Sequence, residues 1–254
     1  MIAAWLQRFH HILLPPTCLL CGAAGTDGRD LCAGCAADLP RNLAACPVCA
    51  LPLAAGQTGP CDACRTRPPD YDRTFAPFRY QHPMDFLIRR LKFNGRLSHA
   101  RLLGELFADA LAERGGPWPD CILPVPLHPR RLRERGFNQA LELARPAADR
   151  FHIPLLAEGL RRVRYTTPQT RLNARARQTN PLGAFALGQP LPGRRVALLD
   201  DVMTTSSTVA ECARVLRAGD VADIEIWIIG RAGDADSRSP QFYPAIGNRR
   251  IIPL

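Results

Sequence analysis

Eight of the ten cysteines fall into four C-x-x-C pairs: Cys18/Cys21, Cys32/Cys35, Cys46/Cys49 and Cys61/Cys64. They are spaced C-x2-C-x10-C-x2-C and then C-x2-C-x11-C-x2-C, an internal repeat of about 30 residues. A C-x-x-C turn offers two thiolates to one ion at about 2.3 Å, and two turns close a tetrahedral site with no open position for water. The expectation is therefore structural Zn2+. Sequential pairing puts Cys18, Cys21, Cys32 and Cys35 on one zinc and Cys46, Cys49, Cys61 and Cys64 on a second. The spacing leaves open a cross-braced pairing, or one occupied site. Few large apolar side chains lie between Cys18 and Cys64, so metal must supply the folding energy of this segment. Disulfides belong to exported chains, and four pairs in tandem exceed what a thiol–disulfide redox site needs. Cys121 and Cys212 are isolated in apolar contexts and read as core residues.

A second constellation lies near the C-terminal end, in Val196-Ala197-Leu198-Leu199-Asp200-Asp201-Val202-Met203-Thr204-Thr205-Ser206-Ser207-Thr208. The opening apolar run is the pattern of a buried parallel strand. Two carboxylates follow at its C-terminal end, and then five residues that all carry a hydroxyl. The apolar face of a helix comes next, in Val209, Cys212, Ala213, Val215 and Leu216, and Gly219 stops it. A strand, a loop and a helix N-terminus make a ready anion site, and the hydroxyls of Thr204, Thr205, Ser206, Ser207 and Thr208 add donors. Asp200 and Asp201 would repel a phosphate, so they suit vicinal ribose hydroxyls or the water shell of a divalent metal. A ribose 5-phosphate spans both halves. No Walker A loop and no G-x-G-x-x-G occurs, so ATPase and dinucleotide readings lack their key element.

The elements that must position these residues follow from composition. The chain of 254 residues, 46% apolar, has room for one medium domain and a small one. Residues 1–16 carry Trp5, Leu6, Phe9, Ile12, Leu13 and Leu14 at helical spacing, interrupted by Arg8, His10 and His11. This reads as a short amphipathic helix rather than a signal peptide or membrane span, and the expected location is cytoplasmic. Arg67-Pro68-Pro69-Asp70 is a linker signal. The expected organisation is a zinc module over 1–70, an α/β domain over 71–234 with a parallel sheet flanked by helices, and an irregular tail over 235–254. Helical periodicity covers Phe86–Leu91 and Leu97–Ala112, and Asp120–Leu127 reads as a short buried strand.

Net charge is +10 and uneven. Residues 1–70 hold five Arg and five acids, so the whole excess lies beyond them. Two segments expected to be loops concentrate it. His128–Gln139 has four Arg and one Glu, and Arg161–Arg177 has six Arg and no acid. Guanidinium groups at this density suit a pyrophosphate or a nucleic-acid backbone.

The Asp200–Thr208 loop resembles the 5-phosphoribosyl-1-pyrophosphate (PRPP) motif of type I phosphoribosyltransferases, with Ser206 where that family usually has Gly. Gly enters backbone conformations that Ser enters only at a cost. With the four C-x-x-C pairs, Lys92-Phe93-x-Gly95, Pro124–Leu127, Arg135–Gln139 and Thr167–Phe185, the chain resembles the ComF family to about Ala232. That family combines a double zinc ribbon with a type I phosphoribosyltransferase-like domain. The resemblance implies PRPP with Mg2+, Thr204–Thr208 on the 5-phosphate, Asp200 and Asp201 on the ribose, and Leu127–Arg130 as a pyrophosphate loop with Arg130 the direct contact. Arg175 and Arg177 would close over it, and Lys92 would be a further phosphate contact. It also implies handling of incoming single-stranded DNA during natural transformation, or use of DNA as a nutrient, with single-stranded DNA and competence or helicase proteins as expected partners. Three roles compete: a phosphoribosyltransferase of unknown acceptor, a nucleic-acid or helicase adaptor that keeps the fold, and a PRPP-sensing regulator. An aromatic content of 7% argues against base stacking as the main device of the second.

Overall fold

The computed structural model describes residues 15–94, 96–166 and 180–233. The helix expected over residues 1–16 lies almost wholly outside them. So do Gly95, Arg171, Arg175, Arg177 and the tail from residue 234.

Each cysteine quartet folds around two knuckles and one short helix, α1 (Ala33–Ala37) and α2 (Asp62–Thr66). Isolated antiparallel bridges, Thr17 with Ala24 and Ala45 with Pro52, brace the first knuckle of each quartet. Beyond them lies a parallel sheet. It includes β1 (Arg73–Phe75), β2 (Phe78–Arg79), β3 (Cys121–Pro124), β6 (Arg195–Met203) and β7 (Asp223–Arg231), in the order β1-β7-β6-β3, with β2 also on β7. β4 (Leu160–Arg162) and β5 (Phe185–Leu187) form a separate antiparallel pair.

The central strands are apolar on both faces because both are covered. Ala197, Leu199, Trp227 and Ile229 pack with α3 (Met84–Asn94), α4 (Leu97–Arg114) and α6 (Gln139–Phe151). Their neighbours Val196, Leu198, Ile226 and Ile228 pack with Val209, Cys212 and Leu216 of α7 (Ser207–Ala218). The helices α4 and α6 approach closely at Gly104, where a Cβ would lie 2.8 Å from the Pro146 ring. Cys121 and Cys212 are fully buried in the second core.

The zinc module shares these cores. Leu20, Leu31 and Leu39 of the first quartet's segment join the α3/α4/α6 side, and Ala50 of the second joins the α7 side. Asn42, between the quartets, donates from Nδ2 to the carbonyls of Ala50 (3.0 Å) and Ala76 (3.2 Å). Among the described residues no helix is long and apolar enough to cross a membrane.

Three elements differ from expectation. Strand β6 runs through Asp200 and Asp201 to Met203, because β7 continues beside it as far as the pairing of Met203 with Arg231. The strand read over Asp120–Leu127 is limited to Cys121–Pro124. The first arginine-rich segment is not a loop but contains a helix, α5 (Pro129–Arg135). Pro129 takes a first-turn position, His128 accepts the Arg130 N–H through Nδ1 at 3.2 Å, and Gly136 ends the helix at φ 82°.

Candidate functional site

The carboxyl ends of β3 and β6 open onto a cleft of about 750 Å³, in the size range of small-ligand sites. Its floor is the turn from β6 into α7. Asp200 and Asp201 lie near the carboxyl end of β6, Thr204 to Ser206 make the turn, and Ser207 opens α7. Ser207, Thr208 and Val209 of the first turn of α7 line the cleft, so the positive end of the helix dipole faces it. The Thr205 and Ser207 hydroxyls lie 3.0 Å apart, so both side chains turn into the same space.

Ser206 adopts φ 60°, ψ −4°, the left-handed conformation that favours Gly. Ser206 thus holds a conformation that the expected Gly would enter freely, at a backbone cost of about 1 kcal/mol. The Ser206 side chain faces buried Tyr71. Burial pushes that phenol up to about 12, and Ser206 opposes the rise.

The two carboxylates differ. Asp201 is buried, and its Oδ1 meets Lys92 Nζ at 3.0 Å. Lys92, expected at a phosphate, therefore comes from α3 to pair with Asp201. Burial works against its charge, but Asp201 and Asp200 prevail and its pKa is raised. Asp200 accepts the Asp201 N–H through Oδ1 at 2.8 Å. Burial first, and the charge of Asp201 second, push its carboxyl up to about 7 despite Lys92. A buried carboxyl that changes charge near neutrality in a cleft is a mark of functional sites.

Arginines line the opposite wall. Arg130 lies in the cleft lining but is exposed and pairs with Glu134 one turn along α5, at 3.1 Å. Arg131 donates to the Thr166 carbonyl at 3.0 Å. Arg135 and Arg162 also line the cleft. Burial, reinforced by Arg131, lowers the pKa of Arg162. Burial lowers that of Arg135 too, where Asp201 pulls the other way and Arg131 adds to the fall. Among the described residues no carboxylate forms an ion pair with Arg131, Arg135 or Arg162. The Arg162 guanidinium lies 5.1 Å from the Phe185 ring centre, and its Nε is buried without a partner. Desolvated cations without a counter-ion are a site for an anion. The lining holds five cationic side chains (Lys92, Arg130, Arg131, Arg135, Arg162) against three carboxylates (Glu134, Asp200, Asp201).

Asn138 supports this wall. Its Nδ2 donates to the Val125 carbonyl just past β3 at 3.2 Å, and its Oδ1 caps α6 by accepting from Ala140 N at 3.1 Å. The cleft thus gathers Asp200, Asp201, Lys92, Arg130 and the hydroxylated turn, with Arg131, Arg135 and Arg162 added. These last three sit in the segments flagged by arginine density, but only the fold distinguishes them from paired neighbours. Arg175 and Arg177 lie outside the described residues.

The cysteines form two quartets, Cys18, Cys21, Cys32, Cys35 and Cys46, Cys49, Cys61, Cys64, with the four sulfurs of each within 4.8 Å of one another. That is the sequential pairing. The Cys21–Cys32 and Cys49–Cys61 sulfurs are 3.7 Å apart, the edge of a tetrahedron with metal–sulfur bonds of about 2.3 Å. None is in a disulfide. Backbone N–H groups approach the sulfurs, Cys35 N to Cys32 Sγ at 3.5 Å and Cys61 N to Cys46 Sγ at 3.3 Å, and such bonds favour the thiolate. The Cys35 N–H bond is the main cause holding Cys32 near 7. At Cys46 burial opposes, yet its backbone bonds bring it to about 7. Both quartets fit structural zinc. A magnesium ion finds less: Asp200 and Asp201 offer at most two carboxylates, one already on Lys92, so phosphate and water would complete its shell.

Comparison with known proteins matches residues 9–65 to the double zinc ribbon domain family. Over 225 residues the chain is 35% identical to the DNA utilization protein YhgH of Salmonella typhi, covering 87% of this chain and 99% of that one. It is 34% identical over 209 residues to Competence protein F of Haemophilus influenzae, covering 80% and 90%. With Competence protein ComFC of Bacillus subtilis it shares 26% over 195 residues, covering 74% and 78%.

Proposed function

The chain belongs to the ComF family, and from that premise we propose that it acts in DNA utilization or competence through a site for PRPP. The observation that carries the reading is the meeting of three chemistries in one cleft. A hydroxylated turn at a helix N-terminus suits a 5-phosphate, paired carboxylates suit a ribose diol, and arginines without counter-ions suit a pyrophosphate. Magnesium bound with the pyrophosphate would neutralise charge on the leaving group.

Phosphoribosyl transfer breaks the bond between the anomeric carbon and the pyrophosphate oxygen. The electron pair leaves with pyrophosphate, and an acceptor lone pair forms the new bond. No protein nucleophile is needed, so the chain's task is holding and charge stabilisation. Thr204 to Thr208 hold the 5-phosphate. Asp200 and Asp201 accept from the ribose hydroxyls, and Lys92 orients Asp201. Arg131, Arg135 and Arg162 receive the charge that develops on the departing pyrophosphate. The nature of the acceptor decides between transfer and PRPP sensing.

The net charge of +10 favours, as a second reading, an adaptor that contacts a nucleic-acid backbone. Replacing both carboxylates (Asp200→Asn with Asp201→Asn) separates the two. Loss of PRPP binding with single-stranded DNA affinity unchanged supports the phosphoribosyl site. Retained PRPP binding in the double variant removes the assignment.

A further inference from the structure

Arg231, at the last position of β7, is buried, and its side chain leads away from the sheet into the zinc module. Its Nε donates to the Cys49 carbonyl at 2.9 Å, a bond between residues 182 apart in the chain. Its Nη1 donates to the carbonyls of Met203 (3.1 Å) and Thr204 (3.0 Å), where β6 gives way to the hydroxylated turn. One guanidinium therefore ties the second cysteine quartet to the first residue of that turn. Tyr71 is buried nearby, with Ser206 against its hydroxyl. The knuckle is also anchored on β1, with Thr74 Oγ1 donating to the Val48 carbonyl at 2.7 Å.

We propose that Arg231 is a positioning residue that couples the second zinc ribbon to the phosphate turn, so that zinc on Cys46, Cys49, Cys61 and Cys64 and a sugar phosphate in the cleft favour each other's binding. The proposal rests on the reading of Thr204–Thr208 as a phosphate site. Among the described residues no carboxylate pairs with Arg231. A buried guanidinium needs negative charge nearby, and a tetrathiolate zinc site carries a net charge of about −2. With metal in place, Cys49 is fixed and its charge balances Arg231, which then holds the Met203 and Thr204 carbonyls turned back. That leaves the N–H groups and hydroxyls after them facing the cleft. Without metal the Cys49 carbonyl loses its fixed place. The fork that orients the turn is then released. Among the described residues the first quartet shows no such hydrogen bond to the turn, and its leucines join the opposite core. Coupling between two sites is reciprocal in binding free energy, so the ligand must also tighten zinc on the second quartet, and slower zinc loss is the expected sign of it.

Zinc transfer from the full chain to a chromogenic chelator tests this, with and without saturating ribose 5-phosphate, in wild type and in Arg231→Lys, which keeps the charge and loses the planar fork. Calorimetry measures ribose 5-phosphate affinity in parallel. In wild type one of the two zinc equivalents should leave about fivefold more slowly with ligand, the lower end of ordinary coupling, and the other at an unchanged rate. Arg231→Lys should keep both zincs, lose the protection and bind ribose 5-phosphate about fivefold more weakly. Ligand that binds wild type but protects neither zinc overturns the coupling and leaves the phosphate site standing. Equal affinity and protection in wild type and Arg231→Lys removes Arg231 from it. Should Arg231→Lys fail to fold, the wild-type release rates decide alone. No binding of ribose 5-phosphate to zinc-loaded wild type refutes the phosphate site itself, and the coupling with it.

Discussion

Replacing Asp200 by Asn should stabilise the protein, and by more at high pH. Asp200 is pushed up to about 7 by burial and by Asp201, against about 4 in an unfolded chain. A raised carboxyl pKa means that the folded state holds its proton more tightly. The penalty is absent below pH 4, where both states are protonated. It grows between pH 4 and 7 as only the unfolded chain ionises freely, and it is complete above 7. At about 1.4 kcal/mol per pH step, it reaches about 2 kcal/mol at pH 5.5 and about 4 kcal/mol at pH 8. Side-chain relaxation and water entry reduce the observed gain at pH 8 to about 1–3 kcal/mol. The amide oxygen of Asn can keep the bond from Asp201 N, so little is lost in exchange. Urea unfolding of wild type and Asp200→Asn at the two pH values, with zinc saturating, measures the difference, and zinc linkage common to both cancels. A variant less stable than wild type at pH 8, or a gain independent of pH, would refute the argument that Asp200 is held ionised at a cost. Stability given up at one carboxylate is the usual mark of a ligand site.

Other outcomes follow from the same geometry. Arg135→Gln should weaken PRPP by about tenfold, one charge-assisted contact, and leave ribose 5-phosphate unchanged in calorimetry; equal losses would move Arg135 off the pyrophosphate. Ser206→Gly should change thermal stability by less than about 1 kcal/mol, since relief of the positive φ is offset by the freedom of Gly in the unfolded chain, and should leave PRPP affinity intact. Cys64→Ser should lower metal content from two zinc equivalents to one; unchanged content would contradict the four-sulfur site that Cys64 completes.

Much of the site was readable because its signals are local. The C-x-x-C spacings give the eight ligands directly, with the structure selecting their sequential pairing, and the apolar run ahead of Asp200 and Asp201 announces a buried parallel strand. The hydroxylated residues followed by Val209, Cys212 and Leu216 mark a helix N-terminus. What sequence could not supply is pairing across distance. Ten arginines within two segments look equivalent as charge, yet Arg130 is paired by Glu134 on its own helix while no carboxylate among the described residues pairs with Arg135 or Arg162. Lys92 looked like a phosphate ligand until α3 brought it to Asp201. Arg231 carried no signal at all, because its partners lie 182 and 28 residues away. The first basic segment was read as loop because its charge hid the signs of a short helix, Pro129 at the start and Gly136 at the end. Even the zinc module's integration with the α/β cores rests on scattered residues, Leu20, Leu31, Leu39 and Ala50, that no periodicity picks out.

The most direct test of the phosphoribosyl site is calorimetric titration of PRPP with Mg2+ into the zinc-loaded wild-type chain. The account predicts saturable micromolar binding at one site per chain, with ribose 5-phosphate competing for it. No heat of binding at millimolar PRPP, in protein shown to carry both zincs, would contradict it.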